Sequence, residues 1–248
     1  MKKYIVYLFI PLLVLSCTPK KWVLTESKST KIAIDASTDA IADKSMEAYI
    51  MPMKQKLDKE MNVVVAVSEE VMKAGKPESL LSNWCTDVYR QAASEYLKEP
   101  VDMAVVNMGS LRSQLPKGNI TVGNIFQLMP FENELVILWL KGSEVDKLLQ
   151  IFAKENGQGV SGVKMDIKDE TAINILIDGK QLDENKLYSI ATNDYLAGGN
   201  DRMIPLASPV KKIETGLKIR NILMEYVIRE NLNGRKIQSK LDGRITVL

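Results

Sequence analysis

From Met46 onward the apolar positions fall into regular patterns. Met46, Ile50, Met53, Leu57 and Met61 recur at three- and four-residue steps, as on one helix face, with Pro52 placed to kink or restart that helix. Asn62–Val67 (NVVVAV) is a short β-branched run between polar residues and predicts a buried strand. Leu81, Cys85, Val88, Ala92 and Tyr96 mark a second helix, with Cys85 as a buried small hydrophobe. Asp102–Val106 predicts a strand ending at Asn107-Met108-Gly109-Ser110. Glu134–Leu140 reads as a strand and Ser143–Asn156 as an amphipathic helix. Gly162–Ile167, Ala172–Ile177 and Leu187–Thr192 follow as strands, with a turn at Leu182–Asn185. Thr215–Asn231 predicts a long helix carrying Leu217, Ile219, Ile222, Leu223, Tyr226 and Val227, and Gly243–Leu248 a closing strand. Strands and helices alternate without a strict βαβ rhythm, and the late strands resemble hairpins. The expected class is therefore α+β, a single mixed domain over residues 46–248.

The first residues read as an address. Met1 to Lys3 are basic at the start, and Tyr4–Leu15 is an apolar run of about 12 residues, well short of the ~20 that cross a bilayer. It ends at Val14-Leu15-Ser16-Cys17, which resembles a bacterial lipoprotein box. That resemblance implies a signal peptide over residues 1–16, cleavage before Cys17 and lipidation of Cys17. An ordinary signal peptide with a chance cysteine is the blander alternative. Acyl chains on Cys17 would anchor the chain durably at the bacterial cell envelope, on the periplasmic side or outer surface. Residues 17–45, rich in Lys, Ser and Thr, then read as a tether, with one short strand at Lys31–Asp35.

Composition narrows the chemistry. The chain has 248 residues, 46% hydrophobic and 26% charged, and no histidine. The absence of histidine excludes Ser-His-Asp and Cys-His nucleophile pairs, HExxH zinc sites and His-ligated binuclear phosphatase centres within this sequence. Without residues 1–16, which hold Lys2 and Lys3, 31 basic and 31 acidic side chains remain. There is no basic footprint for nucleic acid, so none is expected as a partner. A binding role gains weight.

Four constellations stand out. Gly157-x-Gly159-x-x-Gly162 matches the dinucleotide fingerprint as text, but it follows a helix and leads into a strand, the reverse of what a pyrophosphate site needs. It is read as a flexible loop. Asn107-Met108-Gly109-Ser110-Leu111-Arg112 sits at a strand exit, where glycine permits close backbone approach and Arg112 supplies a fork of donors. Met129-Pro130-Phe131-Glu132-Asn133 places an aromatic face beside a carboxamide before the next strand; Phe131 as a core residue is the alternative. Tyr195-Leu196-Ala197-Gly198-Gly199-Asn200-Asp201 offers an aromatic ring and a carboxylate around a glycine pair, though this is also ordinary turn chemistry. The last three together supply two rings, an arginine, two carboxamides and a carboxylate, a set suited to gripping a nucleoside.

The order of these segments, together with Leu115–Gly118, Ile120-Thr121, Lys141-Gly142 and Val160-Ser161-Gly162, resembles the C-terminal domain of the bacterial and animal 5′-nucleotidases, the UDP-sugar hydrolase family, over residues 50–248. The resemblance implies that domain's fold and a nucleoside or nucleotide ligand. Phe131 and Tyr195 would be the two rings around the base, with Tyr in place of the usual Phe. Asp201 would hold ribose hydroxyls, Arg112 would be the arginine of the glycine-rich loop, and Asn107 and Asn133 its polar neighbours. Two departures are visible. The usual Gly-Gly-Asp is here Gly198-Gly199-Asn200-Asp201, and the arginines expected just before Ser79–Asn83 are replaced by Lys73, Lys76 and Glu78.

In that family an N-terminal metallophosphatase domain, with two metals on Asp, Asn and His, performs the hydrolysis. This sequence has neither the length nor the histidines for it, and Asp166-Ile167-Lys168-Asp169-Glu170 reads as a turn between strands. No cofactor or catalytic residue is therefore expected in this chain, and divalent metals only on a partner. The expectation is a lipid-anchored substrate-recognition chain working with a separate metallophosphatase chain in nucleotide breakdown. The alternatives are a stand-alone nucleoside-binding lipoprotein and a degenerate protein-contact domain.

Overall fold

The computed structural model describes residues 22–248; the expected signal peptide and Cys17 lie outside them. The chain divides into Met1–Tyr49 and Ile50–Leu248. In the first part, residues 22–34 form no regular element, so the strand expected at Lys31–Asp35 is not there. Asp35 instead caps a short 3-10 helix, Ala36–Ile41, its carboxylate accepting from the Ser37 backbone N–H at 2.9 Å and hydroxyl at 2.7 Å. Short local bonds of this kind compete with strand pairing.

Helix α1 (Lys44–Met61) continues through Pro52 without restarting, and none of its residues is buried. Strand β1 (Val64–Ser68) is half-buried rather than fully buried, because it belongs to a two-stranded antiparallel sheet with β3 (Gly118–Thr121). Helix α2 (Leu80–Leu97) begins at Ser79, whose hydroxyl accepts from the Ser82 N–H at 3.2 Å, and it buries Leu81, Trp84, Cys85, Val88 and Tyr89. Burial pushes the Cys85 thiol pKa well up, as expected of an inert packing residue. After β2 (Met103–Val106) and β3 comes α3 (Val122–Leu128), opened by a Thr121–Asn124 capping box that the apolar periodicity does not reveal.

The centre is a five-stranded sheet in the order β10-β4-β9-β2-β5, where β4 is Glu134–Lys141, β5 Gly159–Ser161, β9 Leu187–Asn193 and β10 Lys211–Lys218. Alternate residues serve two different cores, as the two-residue period of a strand requires. Ala104, Val106, Leu135, Ile137 and Ala191 face one core with α2, α3 and the final helix α6 (Ile219–Leu232). Met103, Val105, Val136, Leu138, Leu140 and Ile190 face the other, with α4 (Gly142–Lys154) and a second sheet. That sheet runs β11-β6-β7-β8, from β6 (Val163–Lys168), β7 (Thr171–Ile177), β8 (Lys180–Gln181) and β11 (Ile245–Val247). The single mixed α+β domain expected from the sequence is what these elements form. Among the described residues no helix is long and apolar enough to cross a membrane.

Two further expectations need correction. The long helix expected from Thr215 starts only at Ile219, because Thr215–Lys218 finish β10. Gly216 has φ +71°, outside helical backbone, and the Thr215 hydroxyl donates to the Leu135 carbonyl at 2.7 Å. The Gly157–Gly162 stretch is a packed crossing rather than a flexible loop. Gly157 has φ +102°, and a Cβ there would stand 2.3 Å from the Pro77 carbonyl oxygen; at Gly162 it would stand 2.2 Å from that of Asp102. Gly159 lies in β5 with its Cα face against the Val106 side chain. Arg244, 8% exposed, ties this region together by donating to Asp87, Asp242 and the Val160 carbonyl at 2.8 to 3.2 Å.

The packing argument predicts a contrast between two glycines that both have positive φ. Gly118→Ala, with nothing within 4 Å of the added Cβ, should cost about 1 kcal/mol of unfolding free energy from backbone strain. Gly157→Ala adds a backbone collision and should cost about 3 kcal/mol in a urea titration. Equal costs would contradict the packed crossing.

Candidate functional site

Sheet direction decides where the loops meet. β2 and β9 run parallel, pairing Met103 with Ile190 and Ala104 with Ala191, so their C-terminal ends lie at the same edge. β4 runs antiparallel to β9, with Leu135 opposite Asn193, so the start of β4 lies at that edge too. The segments after β2, before β4 and after β9 therefore converge. They line one cavity of about 530 Å³, formed by Asn107, Gly109, Ser110, Arg112, Phe131, Asn133, Tyr195 and Asp201. All six residues singled out in the sequence are in it, although Asn107 and Asp201 stand 94 positions apart along the chain. The volume falls within the usual range of ~300–1,000 Å³ for small-molecule sites.

The side chains are held by hydrogen bonds within and between the three loops. Asn107, 5% exposed, donates through its carboxamide to Asp201 and accepts from the Ser110 hydroxyl. The Met108 N–H donates to Gln158 Oε1 at 2.9 Å, pinning the first loop to the Gly157–Gly159 crossing. Asn193 caps a short turn of helix, α5 (Asp194–Ala197), accepting from the Leu196 N–H at 2.8 Å and presenting Tyr195 beyond the strand end. The Asn133 carboxamide donates to Asp194 at 2.8 Å, joining the second loop to the third. Phe131 and Tyr195 are 46% and 44% exposed, so both rings keep open faces; Phe131 is not a core residue. Arg112 is exposed, with one Nη 3.4 Å from the Gly109 carbonyl.

The shifted glycine pair is accommodated by the backbone. Asp201 and Arg202 both take left-handed conformations, φ 51° and 63°, and the Asn200 carboxamide closes the turn by donating to the Tyr195 carbonyl at 2.7 Å. The Asp201 carboxylate then accepts from the Tyr195 hydroxyl at 2.8 Å. This hydrogen bond raises the Tyr195 pKa above its ordinary value, with the adjacent negative charge adding to the effect.

Some contributors carry no sequence signal. Arg220, at the start of α6, donates to the carbonyl of Pro130 at 3.2 Å, pairs with Glu132 and lies 4.2 Å from the centre of the Phe126 ring. Lys218 bonds the Glu132 carbonyl at 3.1 Å and Glu134 at 2.9 Å. These two cations fix the loop that carries Phe131, from more than 80 residues away in sequence. Ser110, Gln158 and Asp194 lie in or beside the segments singled out in the sequence, but their hydrogen-bonding roles appear only in three dimensions. The replacements for the expected arginines are elsewhere: Lys76 donates to the Glu155 carbonyl at 2.6 Å, and Glu78 accepts from Asn83 at 2.6 Å and the Asp242 N–H at 2.8 Å. Gly142 belongs to packing, since a Cβ there would stand 2.0 Å from the Asp183 carbonyl oxygen.

Comparison with known proteins now bears on the cavity. The family model described as the 5′-nucleotidase, C-terminal domain, matches residues 63–208. The chain belongs to that family. It is 30% identical to the protein UshA of Yersinia enterocolitica over 60% of this chain and 28% of that protein. It is 24% identical to a 5′-nucleotidase of Vibrio parahaemolyticus over 84% of this chain and 38% of that one. Among solved structures, the 5′-nucleotidase precursor from Thermus thermophilus superposes with a TM-score of 0.69 at 26% identity, covering 85% of this chain and 43% of that one. The chain thus spans less than half the length of these relatives.

The described residues include no group of three or more His, Cys, Asp or Glu side chains that could hold a metal ion. Asp169 and Glu170 form the β6–β7 turn. The cavity presents an open pair of ring faces, one carboxylate, one guanidinium and two carboxamides.

The Tyr195–Asp201 bond has a pH signature. A raised folded-state pKa means that the bond's contribution is fully present below the ordinary tyrosine value of ~10 and is lost as pH rises through the raised value. Asp201→Ala should bring the Tyr195 titration, followed by NMR of labelled tyrosine, back down towards ~10. An unchanged titration would contradict the bond.

Proposed function

We propose that this domain recognises the nucleoside part of a nucleotide for a 5′-nucleotidase-type phosphohydrolase, presenting it to a separate metallophosphatase chain that carries the metals. The observation that carries this reading is the convergence of Phe131, Tyr195, Asp201, Arg112, Asn107 and Asn133 on one cavity. In this reading a flat base stacks on the exposed rings of Phe131 and Tyr195, where stacking is tolerant of base identity. Asp201 accepts from ribose hydroxyls, Asn107 and Asn133 supply carboxamides, and Arg112 supplies positive charge for the phosphate end. Catalysis in trans would then rest on positioning, in which holding the reacting group in place replaces a bimolecular encounter.

The membership of a nucleotidase domain family supports this reading, as do relatives named as 5′-nucleotidases. In this reading a metal-bearing phosphatase unit performs the hydrolytic step, and the sequence, with no histidine, supplies the recognition residues. Lipidation at Cys17, which the lipoprotein-box resemblance supports, would hold the domain at the bacterial cell envelope, on the periplasmic side or outer surface, tethered to the membrane and without a nucleic-acid partner. A second reading, a stand-alone nucleoside-binding lipoprotein, draws on the same cavity.

Calorimetric titration with AMP, UMP, adenosine and uridine tests the ligand. Phe131→Ala and Tyr195→Ala should each weaken nucleoside binding by about 1–3 kcal/mol, the usual worth of a base on an aromatic ring. A loss below about 0.3 kcal/mol at both positions would contradict the stacking assignment. Phosphate release from AMP that appears only when a metal-bearing phosphatase chain is added separates the first reading from the second.

A further inference from the structure

Tyr195 carries a group that base stacking does not use. Its ring accounts for stacking, yet its hydroxyl donates to Asp201 Oδ1 at 2.8 Å. The other oxygen, Oδ2, accepts from the Asn107 carboxamide, and Asn107 in turn accepts from Ser110. One carboxylate is thus held by two donors from two loops, one on each oxygen. An exposed Asp side chain with a single partner turns freely about its last bond; two donors on opposite oxygens fix its plane.

The count of lone pairs gives the consequence. A carboxylate has about four acceptor positions, two on each oxygen. Tyr195 and Asn107 each use one, which leaves one on each oxygen. Two acceptors on neighbouring oxygens of a fixed carboxylate match a pair of adjacent hydroxyls, one per oxygen. A phenylalanine at this position would keep the ring face and lose the second anchor of the carboxylate.

We propose that the Tyr195 hydroxyl is a positioning group that orients Asp201, and that through it the cavity selects a sugar with both vicinal hydroxyls free over a deoxy sugar. The assignment rests on the nucleoside reading above and adds to it a role for one hydroxyl group. Tyr195 acts here through Asp201; its ring contact with the base is a separate function.

The test compares adenosine with 2′,3′-dideoxyadenosine, which has the same base and no vicinal hydroxyls, on the full chain and its Tyr195→Phe variant. Wild-type protein should bind adenosine more tightly than the dideoxy compound. Tyr195→Phe should weaken adenosine binding about tenfold, as for loss of a hydrogen bond to a charged group, and leave the dideoxy compound within about twofold. In an Asp201→Ala background the same substitution should change adenosine binding by less than about twofold, because the two residues act as one unit. A general disturbance of the site would weaken both ligands alike. Equal loss for both ligands, loss for neither, or no preference in the wild type overturns the role of the hydroxyl while leaving nucleoside binding in place. Failure of wild-type protein to bind either compound overturns the nucleoside reading and this assignment with it.

Discussion

The parallel pairing of β2 with β9, flanked by antiparallel β4, is the constraint from which the site follows. Two parallel strands deliver their C-terminal ends to the same edge, and an antiparallel neighbour delivers its start there. Three loops of unrelated sequence, leaving at Asn107, arriving at Asn133 and leaving at Asn193, are thereby placed side by side. If β4 or β9 ran the other way, the two rings would sit at opposite edges of the sheet, and if β2 did, Asn107 and Arg112 would leave the site. The two cores that clamp the sheet, one on each face, hold this order against the cost of an open cleft at its rim.

The cleft is stiffened by polar ties more than by packing. Asn107–Asp201, Tyr195–Asp201 and Asn133–Asp194 cross between loops or close one, and Gln158 anchors the first loop from beside β5. Arg220 and Lys218 anchor the loop bearing Phe131 from the opposite side. Each exposed ring therefore stands on a support that is bonded elsewhere, and so the faces can remain open without the loops collapsing onto them. A ligand entering such a site meets groups already oriented, which lowers the ordering cost of binding.

Seven strands and the four longest helices are legible in the sequence because β-branched runs and three-to-four spacing follow directly from burial on one or two faces, whereas β3, β5, β8 and β10 are not. The six cavity residues are legible as segments flanking strands and rich in Gly, Pro and Asn, and their order along the chain carries the family. Strand order is not legible, because no local pattern states which strand pairs with which. The boundary at Ile219 escapes the periodicity because apolar residues at Leu217, Ile219 and Ile222 fit a helical spacing, while Gly216 and the pairing of Lys218 with Glu134 extend the strand. The Gly157–Gly162 stretch looks flexible in sequence because its close approach to Pro77 and Asp102 depends on residues far away along the chain. Arg220 is hidden for the same reason: its partners lie about 90 residues earlier.

The central claim is that a nucleoside occupies the cavity at the β4-β9-β2 edge. The most direct measurement is an NMR titration of nitrogen-15-labelled protein with adenosine, following the side-chain amides of Asn107 and Asn133, which stand on two different loops of the cavity. The account predicts that both amide pairs shift together along one binding curve, with the Tyr195 and Asp201 backbone signals moving at the same ligand concentrations. Shifts confined to another surface, such as the groove between α2 and α6 lined by Tyr96, Leu217 and Tyr226, would contradict it.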